Sequence, residues 1–378
     1  MIPFNRPYFT VKELLFVAKS FSSGHISGNG NFTKKCQEFL QRKYGFKKTL
    51  LTTSCTDALE MCAMLLNIKP GDEVIVPSYT FTSTALAFVR QGAVIVFADS
   101  RADHPGVDED KIAPLITGNT KAIVAMHYAG VACDMDKIID VAEKNKLFVV
   151  EDAAQAIGSC YKDRPLGGIG HLGTYSFHET KNIHCGEGGL LIINDERFIE
   201  RAQILWEKGT DRVKFFRGEI DKYGWVDTGS SFLPADIVAA VLYAQLKCID
   251  RIQERRAKIW DRYYQAFKFY EEKGLVRLPV IPEYTGGNSS IFYMLFSSPE
   301  HRTFFIKRMK QLGCMALFHY LPLHKSDFYK DKHDGRRLGY ADMYSERLVR
   351  LPLYYTLFGK ELDVVIDMAR ATMDEMFK

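Results

Sequence analysis

The chain has 378 residues, 47% of them hydrophobic and 25% charged, which excludes a disordered, collagen-like or coiled-coil protein. Lys and Arg number 50 against 46 Asp and Glu, and the net charge of +4 is too small to argue for a nucleic-acid surface, although a local basic patch for a small anion stays open. No run approaches the ~18 apolar residues of a membrane span. The opening MIPFNRPYFTVKELLFVAKSF lacks the apolar region of a signal peptide. Eight scattered cysteines without a CxxC pair read as reduced thiols, so a cytoplasmic protein without membrane or metal partners is expected.

In chain order, LTTSCTDALE (51–60) leads polar residues into a helix over Asp57–Leu66. Strands are predicted at Glu73–Val76, Val94–Ala98, Lys121–Met126, Leu147–Glu151, Thr174–Phe177 and Leu190–Ile193, with helical spacing between several of them, as in Asp136–Glu143. Apolar strands alternating with helices predict a largely parallel sheet covered on both faces. The last three strands lack intervening helices, so the pattern is expected to change there. A helical tract over Asp236–Glu272 exceeds the usual length and is expected to bend or break. It leads into a smaller C-terminal α+β part, giving domains at 1–245 and 246–378.

Four stretches carry chemistry. SFHETK (Ser176–Lys181), followed by Gly186-Glu187-Gly188-Gly189, sets a lysine beyond a strand end beside a loop that allows close backbone approach. Taken alone, such a lysine is a solvated loop residue. LFVVEDAAQ puts Asp152 at a strand tip, with Gln155 three residues on; the carboxylate either serves a ligand or caps a helix. Ser54 and Thr56 open a helix, an anion site or a simple cap. In PSYTFTST, Phe81 either stacks on a flat ring or joins the core. Gly168-Ile-Gly170-His-Leu-Gly173 spells GxGxxG, but strand-like residues follow where a dinucleotide site needs a helix. His178, His184 and Cys185 lack convincing zinc spacing.

Together these features ask for a flat ring bearing a phosphate, an acidic partner for its nitrogen, and a lysine Schiff base, which pyridoxal 5′-phosphate (PLP) supplies. The sequence also resembles the nucleotide-sugar aminotransferases (DegT/StrS type) of the fold-type I PLP enzymes. The resemblance runs from IPF near the start to SERLVRLPLYY, through SCTDALEM, GDEVIVPSYTF, HYAGVACDMD, FVVEDAAQ, GHLGTYSFHETKN, FFRGEIDKY and FHYLPLH. It implies a large domain with a mostly parallel mixed sheet between helices, and a homodimer with shared active sites. Lys181 would bind the cofactor aldehyde and shuttle the proton. Asp152 would pair with the ring nitrogen, Gln155 would contact the ring's hydroxyl side and Phe81 would stack on its face. Thr56, Ser176 and the backbone of Cys55 and Asp57 would hold the phosphate, with Ser231 aligned where many relatives supply an Asn from the second subunit. Many relatives carry Gly-Thr at Cys55-Thr56, and a cysteine fits there only at negative φ.

For the sugar nucleotide, Arg212, Phe216 and Arg217 in RVKFFRG offer charge and stacking, or form a solvated loop; His319, Tyr320 and His324 around YLPL could line the site. The resemblance implies L-glutamate as amino donor and the C4 ketone of dTDP-4-keto-6-deoxy-D-glucose as acceptor. The product would be dTDP-4-amino-4,6-dideoxygalactose, for cell-surface glycans such as enterobacterial common antigen or the O-antigen of lipopolysaccharide. A 3-keto or UDP-linked sugar remains open. Related sugar dehydratases carry histidine in place of the lysine, so Lys181 argues against that activity. The complete set of candidate residues argues against a non-catalytic binding module.

Overall fold

The computed structural model describes residues 1–377. Seven strands form the main sheet: β1 (Lys48–Thr52), β2 (Glu73–Pro77), β3 (Val94–Ala98), β4 (Thr120–Met126), β5 (Phe148–Asp152), β6 (Leu172–Ser176) and β7 (Gly189–Ile193). Their order is β1-β7-β6-β5-β4-β2-β3. The five strands from β3 to β6 are mutually parallel, while β7 runs antiparallel to both neighbours. The pattern thus changes where the predicted strands lose their intervening helices. Sequence reasoning had assigned β1 to a polar approach, yet Leu50 and Leu51 are both buried, on opposite faces. Five residues with two apolar neighbours carry too little periodicity to reveal a strand.

The parallel strands are apolar throughout because both faces are covered. In β4, Ala122, Val124 and Met126 join one core with helices Cys55–Leu65, Thr82–Val89 and Ile199–Trp206. Ile123 and Ala125 join the other, under helices Asn31–Tyr44, Met135–Asn145 and Asp236–Leu246. The long helical tract does break: Asp236–Leu246 is followed, after Lys247 and Cys248, by a 24-residue helix, Ile249–Glu272. The break lets one tract serve two cores. Ile249 and Ile252 pack under the main sheet, whereas Ile259, Tyr263 and Phe267 pack in a third core. Burying each of these side chains contributes about 1.5–3 kcal/mol.

That third core lies between this helix, the helices Pro299–Gln311 and Lys360–Met376, and an antiparallel sheet of β8 (Val276–Arg277), β9 (Tyr293–Phe296) and β10 (Leu348–Arg350). Two N-terminal helices were not anticipated. Val11–Ser22 starts with a capping box, Thr10 and Glu13, that was legible in the sequence. Asn31–Tyr44 has no side-chain cap of its own; Asp236 reaches across to accept from the backbone N–H groups of Phe32 (3.2 Å) and Thr33 (2.8 Å). Among the described residues, no helix is long and apolar enough to cross a membrane.

Candidate active site

The site gathers at the carboxyl ends of the parallel strands. Successive residues of a strand face opposite sides, so Glu151 and Asp152 at the tip of β5 part company. Asp152, buried, accepts from Thr84 Oγ1 at 2.7 Å and from the Ala154 N–H at 3.2 Å. Thr84 is itself held by Thr80 Oγ1 at 2.7 Å. Turns rather than a helix follow Asp152, so the capping alternative does not hold. Gln155 is pinned at both ends: its Oε1 accepts from the Ala129 N–H at 2.6 Å and its Nε2 donates to Tyr320 Oη at 2.7 Å.

Lys181 sits in a turn just past β6, its N–H bonded to the His178 carbonyl at 2.9 Å. Its amine makes no side-chain hydrogen bond or ion pair among the described residues. Burial lowers its pKa, with Arg350 acting in the same direction and Cys55 and Asp152 opposing. An unpartnered amine with a lowered pKa is a nucleophile in waiting.

The third component is the start of helix Cys55–Leu65. Ser54 caps it by accepting from the Asp57 N–H at 3.1 Å, so that N–H is already taken, while those of Cys55 and Thr56 have no partner among the described residues. Cys55 is helical and its φ is negative, which removes the steric objection to a side chain there. Burial pushes its thiol up to about 12. Thr56 Oγ1 lies 2.7 Å from Ser83 Oγ. The Asp57 carboxylate accepts from the Thr53 and Ser54 hydroxyls. Strand β7 passes so close that a Cβ on Gly189 would come within 2.3 Å of the Ser54 carbonyl carbon and 2.5 Å of the Cys55 nitrogen. Only glycine lets the strand pair with Ser176, whose buried hydroxyl accepts weakly from the His178 N–H at 3.4 Å.

Phe81 does not join the core: it is 59% exposed, its ring 6.2 Å from that of Tyr320. Tyr320 stacks on His319 at 3.5 Å, and His319 Nδ1 lies 2.7 Å from Tyr128 Oη. Burial, with Arg350 and Lys181 adding to it, drives the His319 pKa well below the usual imidazole value. His324 belongs elsewhere, its Nδ1 2.7 Å from the buried Ser78 Oγ and its Nε2 near Asp342. Arg212, Phe216 and Arg217 lie on a short surface helix, Arg212–Phe216, and its edge. Arg212 stacks over Phe216 and Tyr223 and pairs with Glu207, while Arg217 pairs with Glu219. Ser231 is exposed and bridges to Glu207. Among the described residues, none of these four makes a hydrogen bond, ion pair or ring contact with Lys181, Asp152, Gln155 or Thr56.

The literal GxGxxG is put to structural use. The N–H groups of Gly167, Ile169 and Gly170 donate to the Glu151 carboxylate at 2.7, 2.6 and 2.6 Å, and His127 Nε2 lies 3.0 Å from it. His178, His184 and Cys185 are engaged with Thr180, the Tyr8 carbonyl and the Phe177 carbonyl respectively. Sequence reasoning missed Thr84 and Ser83, the hydroxyls behind Asp152 and Thr56. Their signal was the run of hydroxyl residues in TFTST at a helix start.

The donor set fits PLP. A buried carboxylate suits a protonated ring nitrogen, an unpartnered amine suits an aldehyde, and a helix start with two unpaired N–H groups suits a phosphate. The model of the DegT/DnrJ/EryC1/StrS aminotransferase family matches residues 8–370. The spore coat polysaccharide biosynthesis protein SpsC of Bacillus subtilis is 31% identical over 379 residues, 98% of this chain and 96% of that protein. Spr1654 of Streptococcus pneumoniae in its PLP form superposes with a TM-score of 0.90 at 28% identity, covering all of both chains. The aminotransferase TlmJ of Streptoalloteichus hindustanus does so with a TM-score of 0.92 at 27% identity, again covering both chains completely. The fold is that of the fold-type I PLP enzymes, and the chain belongs to the DegT/DnrJ/EryC1/StrS family as a PLP-dependent sugar aminotransferase.

Proposed function

We propose that this enzyme moves an amino group from L-glutamate to the C4 ketone of dTDP-4-keto-6-deoxy-D-glucose, giving dTDP-4-amino-4,6-dideoxygalactose for a cell-surface glycan such as enterobacterial common antigen or the O-antigen of lipopolysaccharide. The observation that carries the aminotransfer is the buried, unpartnered Lys181 amine within reach of the charge of an Asp152 carboxylate that Thr84 holds. The sugar assignment rests on the motif resemblance and on the likeness to SpsC, a polysaccharide biosynthesis protein. Bound PLP supplies a carbonyl that takes the amino group and a protonated ring that stores an electron pair.

The chain's residues do the rest. Asp152 keeps the ring nitrogen protonated, and Thr84 fixes the carboxylate for that task. Gln155, locked between Ala129 and Tyr320, meets the ring's hydroxyl side. The N–H groups of Cys55 and Thr56, with the Thr56 and Ser176 hydroxyls, hold the phosphate at the positive end of a helix. Phe81 covers the exposed ring face. Lys181 Nζ would take the proton from the donor's Cα and hand it to the carbon that bore the cofactor's aldehyde, a task that its lowered pKa favours. His319, neutral and stacked on Tyr320, lines the sugar side.

We further propose a cytoplasmic homodimer. Leu14 (74% exposed) on helix Val11–Ser22 and Phe216 (66%) and Trp225 (82%) on the excursion after Gly209 are large apolar side chains left bare in one chain. Pairing would bring Ser231 to the partner's phosphate and Arg212, Phe216 and Arg217 to the partner's nucleotide. A division near 245/246 draws support from the helix break at Lys247–Cys248 and from the third core beyond Ile259, while Ile249 and Ile252 still pack under the main sheet.

The test is the purified enzyme with L-glutamate and a panel of dTDP- and UDP-linked 3-keto and 4-keto sugars, the product read by NMR. An equatorial C4 amine, a 3-amino product or a preference for UDP would each overturn the specific assignment while leaving the aminotransferase standing.

A further inference from the structure

We propose that Asn288 is a positioning residue for the aminotransfer, one that fixes the spacing between Gln155 and Lys181. This rests on the reading of Gln155 and Lys181 as cofactor contacts and extends it to a residue far from both in sequence. Between β8 and β9 the chain leaves the small sheet and runs along the main domain. There Thr285 and Gly286 pair with Tyr161 and Cys160, and Thr285 Oγ1 accepts from the Ala132 N–H at 3.2 Å. Asn288 follows, buried. Its Nδ2 donates to the carbonyls of Gln155 at 2.8 Å and Ile157 at 3.0 Å, and its Oδ1 accepts from the Ser290 N–H at 3.0 Å. These partners fix the amide's orientation, because the opposite one would set oxygen against two carbonyls. A Cβ on Gly130, whose φ is +77°, would collide with that Oδ1. Gly130 belongs to the turn whose Ala129 N–H holds the Gln155 side chain. Asn288 therefore grips Gln155 by its backbone and abuts the turn that grips its side chain.

The other end of this brace is Asn182, next to Lys181. Its Nδ2 donates to the Asn288 carbonyl at 3.0 Å and to Gln253 Oε1 at 2.8 Å, and Gln253 Nε2 donates in turn to the Ile157 carbonyl at 2.7 Å. Among the described residues Asn182 Oδ1 has no partner and is sealed from solvent. The fold thus tolerates a costly unpaired acceptor while that amide stays turned to the brace. From Gln155 to Lys181 the connection runs through two buried side-chain amides in series, Asn288 and Asn182. Groups that must meet one ring together are sensitive to such a connection, since a misplacement of about 1 Å slows a reaction about a hundredfold. Asn194 is the control within the same molecule. Its Nδ2 likewise donates to two carbonyls, Gly167 at 3.0 Å and Gly170 at 2.9 Å, but these belong to the loop closed on Glu151.

The experiment compares Asn288→Asp with Asn194→Asp and the wild type. Each change keeps the side chain's shape and replaces two donors with acceptors. PLP is titrated into the apoenzyme, melting temperatures are taken with and without PLP, and the cofactor's absorbance is followed in the holoenzyme as L-glutamate is added without any sugar. In Asn288→Asp, PLP binding is expected to weaken about tenfold or more, and the rise in melting temperature that PLP brings should shrink with it. The limiting rate with L-glutamate is expected to fall about tenfold or more, while the half-saturating concentration changes less. Asn194→Asp should lower the melting temperature of the apoenzyme and leave PLP affinity and the limiting rate at wild-type values. An Asn288→Asp variant that behaves like Asn194→Asp makes Asn288 structural only and overturns the inference. Should Asn288→Asp fail to fold, Asn288→Ala decides by the same measurements, and wild-type PLP affinity there overturns it. Adding Asn288→Ala to Asn182→Ala, which already cuts the brace at its other end, should weaken PLP binding no more than about twofold further, and losses that add in full overturn the series arrangement. A wild-type cofactor band that ignores L-glutamate would instead remove the donor reading, and PLP affinity would still report on Asn288.

Discussion

Glu151 and Asp152 are neighbours on one strand and carry the same charge, yet the two sides of the sheet treat them oppositely. On Glu151's side three backbone N–H groups and the His127 ring close on the carboxylate, and His127 Nδ1 in turn accepts from the Cys133 N–H at 3.2 Å. Nothing is left over for a ligand. On Asp152's side one hydroxyl and one long N–H contact leave acceptor capacity, and the carboxylate is near enough to Lys181 to push its pKa up. A carboxylate saturated by the fold is structural; one supplied with fewer partners than it can accept is kept for something else.

The sharpest break of that comparison removes the group opposite Asp152. Lys181→Ala should abolish turnover while leaving the melting temperature close to wild type, measured by coupled assay and calorimetry; wild-type turnover would remove Lys181 as the base. Asp152→Asn should lower turnover by about two to three orders of magnitude, as for loss of an electrostatic partner to a developing charge, with folding preserved. Glu151→Gln should do the reverse. It should cost about 1.5–3 kcal/mol of stability by denaturant unfolding, the range for hydrogen bonds to a charged group, with turnover per folded molecule retained. If Glu151→Gln cuts turnover as deeply as Asp152→Asn without loss of stability, the division of labour is wrong.

The smallest effect is on pH dependence. Burial lowers the pKa of His104 to about 4 and lowers those of His171, His184, His319 and His324 below the ordinary 6.5. Below 6.5 the unfolded chain therefore binds protons that the native chain refuses, so stability falls with acid, progressively down to about pH 4. Thermal melts between pH 8 and 4 test this, and stability that is flat until the carboxylates titrate would contradict it.

The strands β2 to β5 were legible because fully buried strands must be apolar, and Asp152 and Gln155 because a charged residue ending such a run has to lie at a strand tip. The short edge strand β1 and the helix Asn31–Tyr44 were not. The first has too few residues for a period, and the second takes its cap from Asp236, over two hundred residues away. Thr84 behind Asp152 and Asn288 behind Gln155 were equally out of reach, since each depends on which turn the chain brings alongside.

What the amino-acid sequence determined by itself was the chemistry on offer: the lysine after a strand, the acidic strand tip, the hydroxyl-rich helix start and the glycines that let backbones touch. Their order along the chain carries this, because residue type fixes what a side chain can bind and local pattern fixes where an element ends. Tertiary structure alone decided which carboxylate is saturated and which is left open, that Phe81 stands in solvent and His324 does not reach the site, and that Arg212, Phe216, Arg217 and Ser231 lie apart from Lys181 within one chain. Those outcomes depend on partners distant in sequence, and burial and hydrogen-bond satisfaction are properties of the packed assembly of segments rather than of any one of them.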